Sequence, residues 1–240
     1  MFADQGILLS AYFEADLFGK CIFISLFLLS IVCWVVLIQK TRQAKRVRAL
    51  AFAFERGCEK NREHLLALTL EDLPRGDVPH PFSKIFLSLK QKTLEVLNKN
   101  RYYAKEGAEN VYLTRSDLEL VESHVLTTIS SESKNLERNL YVLSTTASLA
   151  PFLGLLGTVW GILLTFAEMQ SGAGTSSNSA VLGGLSTALS TTVLGLLIAI
   201  PALVFNNYLR NSFRYMSSDM EDFLYKLLST IELQYRKPTE

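Results

Sequence analysis

Apolar residues along this chain collect into three long stretches, and charged residues crowd the segments between them. The first stretch runs from Cys21 to Gln39. The second is uncharged from Asn139 to Ala167, and the third from Met169 to Leu209, with an apolar core at Val181–Phe205. A bilayer core about 30 Å thick needs roughly 20 mostly apolar helical residues, and each stretch reaches that length. A soluble helical protein would interrupt such runs with charge every turn or two. The pattern therefore predicts an all-α integral membrane protein with three transmembrane helices. The first stretch does not read as a cleaved leader. Asp4, Glu14 and Asp16 precede it where a basic segment belongs, and it ends at a basic cluster instead of small residues.

Between the spans the apolar period is helical. Val47, Leu50, Phe54 and Cys58 carry the first span onward as a helix. A break is expected at Pro74–Pro81, and Phe82, Ile85 and Leu89 mark another amphipathic helix. Ser116-x-x-Glu119 has the form of a capping box, and Leu118, Val121, Val125 and Ile129 form an apolar stripe after it. That helix is predicted to run straight into the second span. Met220, Phe223, Leu227 and Ile231 repeat the pattern near the C-terminus. Nothing alternates as a strand would. The fold class is thus three transmembrane helices with long helical cytoplasmic extensions.

Charge orients the chain. Lys40, Arg42, Lys45, Arg46 and Arg48 follow the first span, and Arg210 and Arg214 follow the third. The connection Glu168–Ala180 has one acid and no base. Basic residues stay on the cytoplasmic side. This predicts an outer N-terminus at 1–16, spans at 17–39, 139–167 and 181–208, and an outer loop at 168–180. The cytoplasmic parts are then a helical domain at 40–138 and a C-terminal helix at 209–240. The overall balance, 24 basic against 23 acidic residues, points to no nucleic-acid partner. Cys21, Cys33 and Cys58 have neither disulfide nor metal spacing and read as small apolar packers. His64, His80 and His124 are scattered, with no ligand partners at metal spacing. No nucleophile–base arrangement occurs, so neither an enzyme, a metal nor a cofactor is expected.

The second and third spans carry the chemistry. Gly154, Gly157, Thr158, Gly161 and Thr165 share one helix face, and Gly157-x-x-x-Gly161 is a small-residue packing motif. Gly184, Ala188, Thr191, Gly195, Ala199 and Ala202 recur at spacings of three and four. Two such faces can approach closely without the hydrophobic drive that lipid does not supply. Thr187, Ser190, Thr191 and Thr192 cluster at the level expected of Thr158 and Thr165 in antiparallel spans. Two readings stay open: such hydroxyls bond a carbonyl one turn back, or they line a wet cavity and help ligate an ion. Pro151 and Pro201 lie one in each helix, where each removes a backbone donor and favours a kink. Neither span contains Asp, Glu or His. Membrane proton paths ordinarily use those residues, so this chain cannot relay protons alone through carboxylates.

With these residues in view, the chain resembles the family of TolQ, ExbB and MotA, the larger subunits of ion-driven motors in bacterial inner membranes. Trp34 with Leu37–Arg42 is similar to the end of that family's first span. Ala150-Pro151 through Gly157-Thr158-Val159-Trp160-Gly161-Ile162 resembles its most distinctive motif. Ala188-Leu189, Thr192, Gly195-Leu196, Ala199-Ile200-Pro201-Ala202 and Asn207 resemble its third span. The likeness is weak between about 55 and 80, and the short outer N-terminus and first-span ending look closest to TolQ. The resemblance implies a homo-pentamer in membrane lipid around a TolR- or ExbD-like single-span partner, whose transmembrane Asp carries the ion. It implies a periplasmic N-terminus, a cytoplasmic C-terminus, and work delivered to the envelope, as Tol-Pal-type maintenance or biopolymer import. Thr158 and Thr192 match its pore-facing threonines. The chain departs at Thr187, where TolQ and ExbB usually have glutamate, leaving both a proton route through water and a sodium-type route open. The competing expectation is a non-conducting scaffold that anchors cytoplasmic helices; a flagellar stator subunit would need a fourth span.

Overall fold

A computed structural model of the chain describes residues 4–74, 78–103, 112–170 and 178–236. Among the described residues six α-helices follow in order: α1 (Asp4–Glu14), α2 (Leu17–Lys60), α3 (Pro81–Tyr103), α4 (Arg115–Glu137), α5 (Leu140–Gln170) and α6 (Asn178–Tyr235). Short 3-10 turns at Arg62–His64 and Leu70–Asp72 connect α2 to α3. Among the described residues no strand forms beyond an isolated bridge between Leu113 and Arg236. Three helical stretches, within Leu17–Lys60, Arg115–Ala167 and Val181–Tyr235, are long and apolar enough to cross a membrane. This is an all-α membrane protein. It divides into two compact units, one comprising Met1–Lys40 with Asn139–Leu209, the other Thr41–Arg138 with Arg210–Glu240.

In the first unit, Ile22 and Leu26 of α2, Ala150 of α5, and Ile198 and Ala199 of α6 make one buried cluster. Ala11 of α1, Ala15 and Phe23 make a second, against which Leu194 packs. Alanines take many of the buried positions of α5 and α6, among them Ala150, Ala188, Ala199 and Ala202. Large apolar side chains instead point outward, among them Phe27, Ile31, Phe152, Leu163, Val193 and Ile200. That inversion suits helices whose outer solvent is lipid, since bulky side chains gain nothing by leaving hydrocarbon for hydrocarbon. Cys33 is buried, as a small packer should be, whereas Cys21 lies exposed on the outward side.

The second unit has a conventional aqueous core. Phe54 of α2 is fully buried and meets Phe86 of α3 and Phe223 of α6, with ring centroids 5.9 and 6.2 Å apart. Val47, Leu50 and Cys58 are buried beside it, as are Ile85, Leu89, Val121, Val125, Ile129, Met220, Leu227 and Ile231. Polar ties join the helices: Ser88 to Thr128 at 2.9 Å, Ser133 to Ser217 at 2.8 Å, and an ion pair between Lys226 and Glu55. Burial, with Glu55 nearby, pushes the Cys58 thiol up to about 12, leaving it an inert packing group.

Two local expectations are corrected. The cap of α4 is not Ser116 with Glu119 but Thr114 with Asp117. Thr114 accepts from the Asp117 amide at 3.2 Å, and the Asp117 carboxylate accepts from the Thr114 amide at 3.0 Å. Two overlapping S/T-x-x-D/E patterns exist here, and the upstream one wins because Asn100 of α3 also donates to Asp117, at 2.9 Å. Nor does α4 run into the second span. The helix stops at Arg138 (φ −52, ψ 134), and Asn139 takes a positive φ of 71 before α5 starts. Asn is among the few residues that tolerate that left-handed region.

His80 caps α3. Its Nδ1 accepts from the Ser83 amide at 3.3 Å, while Ser83 Oγ accepts from the His80 amide and donates back to its carbonyl. An accepting Nδ1 requires a neutral ring. His80 is 3% exposed, lies edge-on to Phe54, and burial pushes its pKa down to about 4. The folded-state pKa is thus below the unfolded value of about 6.5, so the unfolded chain binds the extra proton first. Stability contributed by neutral His80 is present above about pH 6.5 and falls as pH drops toward 4. By about pH 5 the loss amounts to about 2 kcal/mol. Thermal unfolding in detergent between about pH 7.5 and 5 should show this slope, and His80→Asn, which keeps a capping acceptor but cannot titrate, should flatten it.

Candidate functional site

Within the first unit, α5 and α6 lie antiparallel, and the register is written in their glycines. An added Cβ at Gly154 would come 2.9 Å from the Thr191 carbonyl oxygen and from Thr192 Cα. At Gly157 it would meet the Thr191 side chain, and at Gly161 it would stand 2.6 Å from Ala188 Cβ. Gly184 answers from α6, where a Cβ would lie 2.6 Å from Thr165 Oγ1, and Gly195 faces the Ala150 carbonyl and Gly154 Cα. Gly154, Gly157, Gly161, Gly184 and Gly195 thus all lie at the α5–α6 contact. Their missing side chains bring the two backbones together, which is what lets side-chain hydroxyls of one helix reach main-chain oxygens of the other.

The hydroxyls use that proximity. Thr191 Oγ1 donates within its own helix to the Ala188 carbonyl at 2.7 Å and lies 3.0 Å from the Gly154 carbonyl. Thr192 Oγ1 donates to the same Gly154 oxygen at 2.9 Å. Thr158, 7% exposed, donates back to the Leu155 carbonyl at 2.7 Å, and Thr165 to the Gly161 carbonyl at 2.9 Å. Of the expected pathway residues, Thr191 and Thr192 thus sit at the α5–α6 contact, and their protons and that of buried Thr158 are engaged by main-chain oxygen. A threonine oxygen that donates still has lone pairs to offer a cation or water. Thr187 is half-buried and stands apart, on the wall of a cleft. Pro151 and Pro201 lie inside α5 and α6, and neither ends its helix.

That cleft, about 460 Å³ in volume, lies among the α1–α2 junction, α5 and α6. Glycine faces, Thr165, Thr187, Ala188 and Thr191 form one side of it, and Glu14, Asp16 and Trp160 line it as well. Asp16 is tightly held. Its carboxylate accepts from the amides of Phe18 at 3.2 Å and Gly19 at 2.9 Å, capping α2, and from the Trp160 indole at 3.0 Å. Phe18 stacks on the Trp160 ring at 4.5 Å between centroids. Partial burial pushes the Asp16 carboxyl up, but the bonds from Trp160, Gly19 and Phe18 outweigh it and hold the group below its ordinary range. Sequence reasoning treated Glu14 and Asp16 only as evidence against a leader peptide. The signal for Asp16 was present: an Asp directly before the first apolar residues of a helix is an N-cap pattern. Its bond to Trp160, far away in the chain, had no such signal.

Comparison with known proteins supplies independent findings. A family model described as the MotA/TolQ/ExbB proton channel family matches residues 95–222. A biopolymer transport protein ExbB of Xanthomonas campestris pv. campestris (strain B100) is 34% identical over 139 residues, covering 58% of this chain and 51% of the relative. The ExbB of Aquifex aeolicus (strain VF5) is 43% identical over 88 residues, 37% of this chain and 59% of that protein. The chain therefore spans only about half to three-fifths of the length of these two relatives. The ExbB of Neisseria meningitidis serogroup A / serotype 4A is 24% identical over 206 residues, 86% of this chain and 88% of the relative.

The glycine contacts rank substitutions. Gly154→Ala places its methyl against α6 backbone, which cannot rotate away, and should destabilise the α5–α6 pair by about 1–3 kcal/mol. Gly183→Ala meets nothing within 4 Å and should be neutral or slightly stabilising. Thermal stability of the two purified variants in one detergent checks the order.

Proposed function

The chain belongs to the MotA/TolQ/ExbB proton channel family, and from that premise we propose that it is the multi-span subunit of an ion-driven motor in a bacterial inner membrane. It couples a proton or sodium motive force to work on the cell envelope, either Tol-Pal-type maintenance or biopolymer import, through a TolR- or ExbD-like single-span partner. The observation that carries this reading is a pair of spans, 139–167 and 181–208, that hold no carboxylate while the hydroxyls of Thr191 and Thr192 gather at the Gly154 carbonyl. Such a wall offers oxygen lone pairs to a moving cation but no titratable acid of its own. A partner Asp would complete the path. We further propose a pentamer of this chain around that partner, and the basic flanks after the first and third spans support a periplasmic N-terminus and a cytoplasmic C-terminus. The chain's role is transport and not catalysis.

Between the TolQ and ExbB roles, the relatives described above carry the ExbB name, while the ending of the first span, Trp34 with Leu37–Arg42, looks closer to TolQ. A second reading, the non-conducting scaffold, draws support from a specific observation. The hydroxyls of Thr158, Thr191 and Thr192 all have main-chain acceptors within the chain, so packing alone accounts for them.

The two readings separate on isosteric substitution. Thr158→Val and Thr192→Val keep shape and remove the oxygen. The motor reading expects loss of envelope function, scored as detergent sensitivity or failed import, with membrane accumulation unchanged. Normal function in both variants would favour the scaffold.

A further inference from the structure

Protein interiors are packed as densely as organic crystals, and voids much larger than a water molecule are few. The cleft beside α5 and α6 is far larger than that, and it is open by construction. A Cβ at Gly183 would meet nothing within 4 Å, so this glycine borders empty volume, unlike its neighbour Gly184, which is pressed against Thr165. The lining is mixed, with apolar Phe23 and Leu164 in it, but it carries hydrogen-bonding groups on both sides: Thr165, Thr187 and Thr191 on the wall, Glu14, Asp16 and Trp160 toward the α1–α2 junction. Empty cavities that stay dry are apolar, whereas a roomy one with several hydrogen-bonding groups holds water. Its fixed charge is of one sign. Among the described residues, Glu14 and Asp16 line the cleft and no basic side chain does. Asp16 is held in place by two amides and an indole, so its charge cannot swing away into bulk solvent.

We propose that this cleft is a water-filled vestibule within each protomer that concentrates small hydrated cations beside Thr187 and Thr191, with Glu14 and Asp16 setting its preference for positive charge. The proposal deepens the motor reading, on which the use of the vestibule as a feed for the ion path rests. Low-dielectric walls around charge of one sign focus the field, and such focusing raises local counter-ion concentration tenfold or more. The geometry also explains why carboxylates at the α1–α2 junction matter to a chain whose second and third spans have none. They hold no proton in transit; they bias which solutes arrive at the hydroxyls.

Thiol labelling tests this without any motor activity. The full chain carrying Cys21→Ser, with Gly183→Cys or Thr187→Cys, is reconstituted in liposomes and treated with cationic or anionic methanethiosulfonate reagents. Leu189→Cys, on the exposed apolar face of α6, is the reference. The vestibule expects Gly183→Cys and Thr187→Cys to react faster than the reference, with the cationic reagent favoured by about tenfold. Glu14→Gln with Asp16→Asn, which preserves the cap acceptor, should abolish that preference, and Glu14→Gln alone should reduce it. Labelling no faster than at Leu189→Cys, or a charge preference that is absent or survives the double neutralisation, overturns the proposal. Because labelling needs neither partner nor ion gradient, its failure leaves the motor reading standing. Successful labelling in a chain that drives no envelope work would retain the vestibule and refute the motor.

Discussion

Much in the first unit depends on one main-chain oxygen, the Gly154 carbonyl, within reach of hydroxyls from both Thr191 and Thr192. Lipid offers helices no hydrophobic reason to associate, so contact must come from close packing and polar bonds. The absent side chains at Gly154, Gly157 and Gly161 let α6 come near enough for those bonds to form. Each depends on the other. Without the glycines the hydroxyls would not reach, and without the hydroxyls nothing directional would select this register over one slipped by a turn. The register in turn decides which hydroxyls share a level and where the small faces part to leave the cleft.

The same constraint shapes the chemistry. Helices that meet through glycine and threonine have little room for a carboxylate between them, and an ionised acid buried there would be expensive unless paired. The acids of the first unit that line the cleft sit instead at the α1–α2 junction, where amides and an indole stabilise Asp16 in its charged form. A wall of hydroxyls with negative charge set to one side suits a subunit that guides a cation which another chain must bind and release. The second unit follows other rules, with phenylalanine packing, hydroxyl pairs and ion pairs of an ordinary water-facing bundle. The chain thus joins two solvents' worth of folding logic through α2 and α6, each of which contributes residues to both units.

Much of this was legible beforehand, for identifiable reasons. Small residues at spacings of three and four marked one face of each span as the contact face, but which residue meets which, Gly161 with Ala188 and Gly157 with Thr191, was not legible because the period alone leaves the register open. The stripes through Phe54, Val125 and Phe223 were equally plain, because an amphipathic face must be buried. The cap at Thr114 was misread because two overlapping patterns compete, and the tie-breaker, Asn100, lies on another helix. The stop at Asn139 was missed because a single left-handed residue leaves the apolar pattern undisturbed. The cleft was invisible for a deeper reason. Glu14, Trp160 and Gly183 are far apart in sequence, and empty space has no residue to announce it.

The central claim is that this chain, with a single-span partner, forms a path for ions through hydroxyl-lined helices. Ion flux into proteoliposomes containing the co-purified pair tests it most directly, measured under an imposed potential in proton-only and in sodium-containing media. The account expects flux of one of these ions above that of empty vesicles, lost when the partner's transmembrane carboxylate is neutralised. Absence of flux in both media from an intact, correctly assembled pair would contradict it.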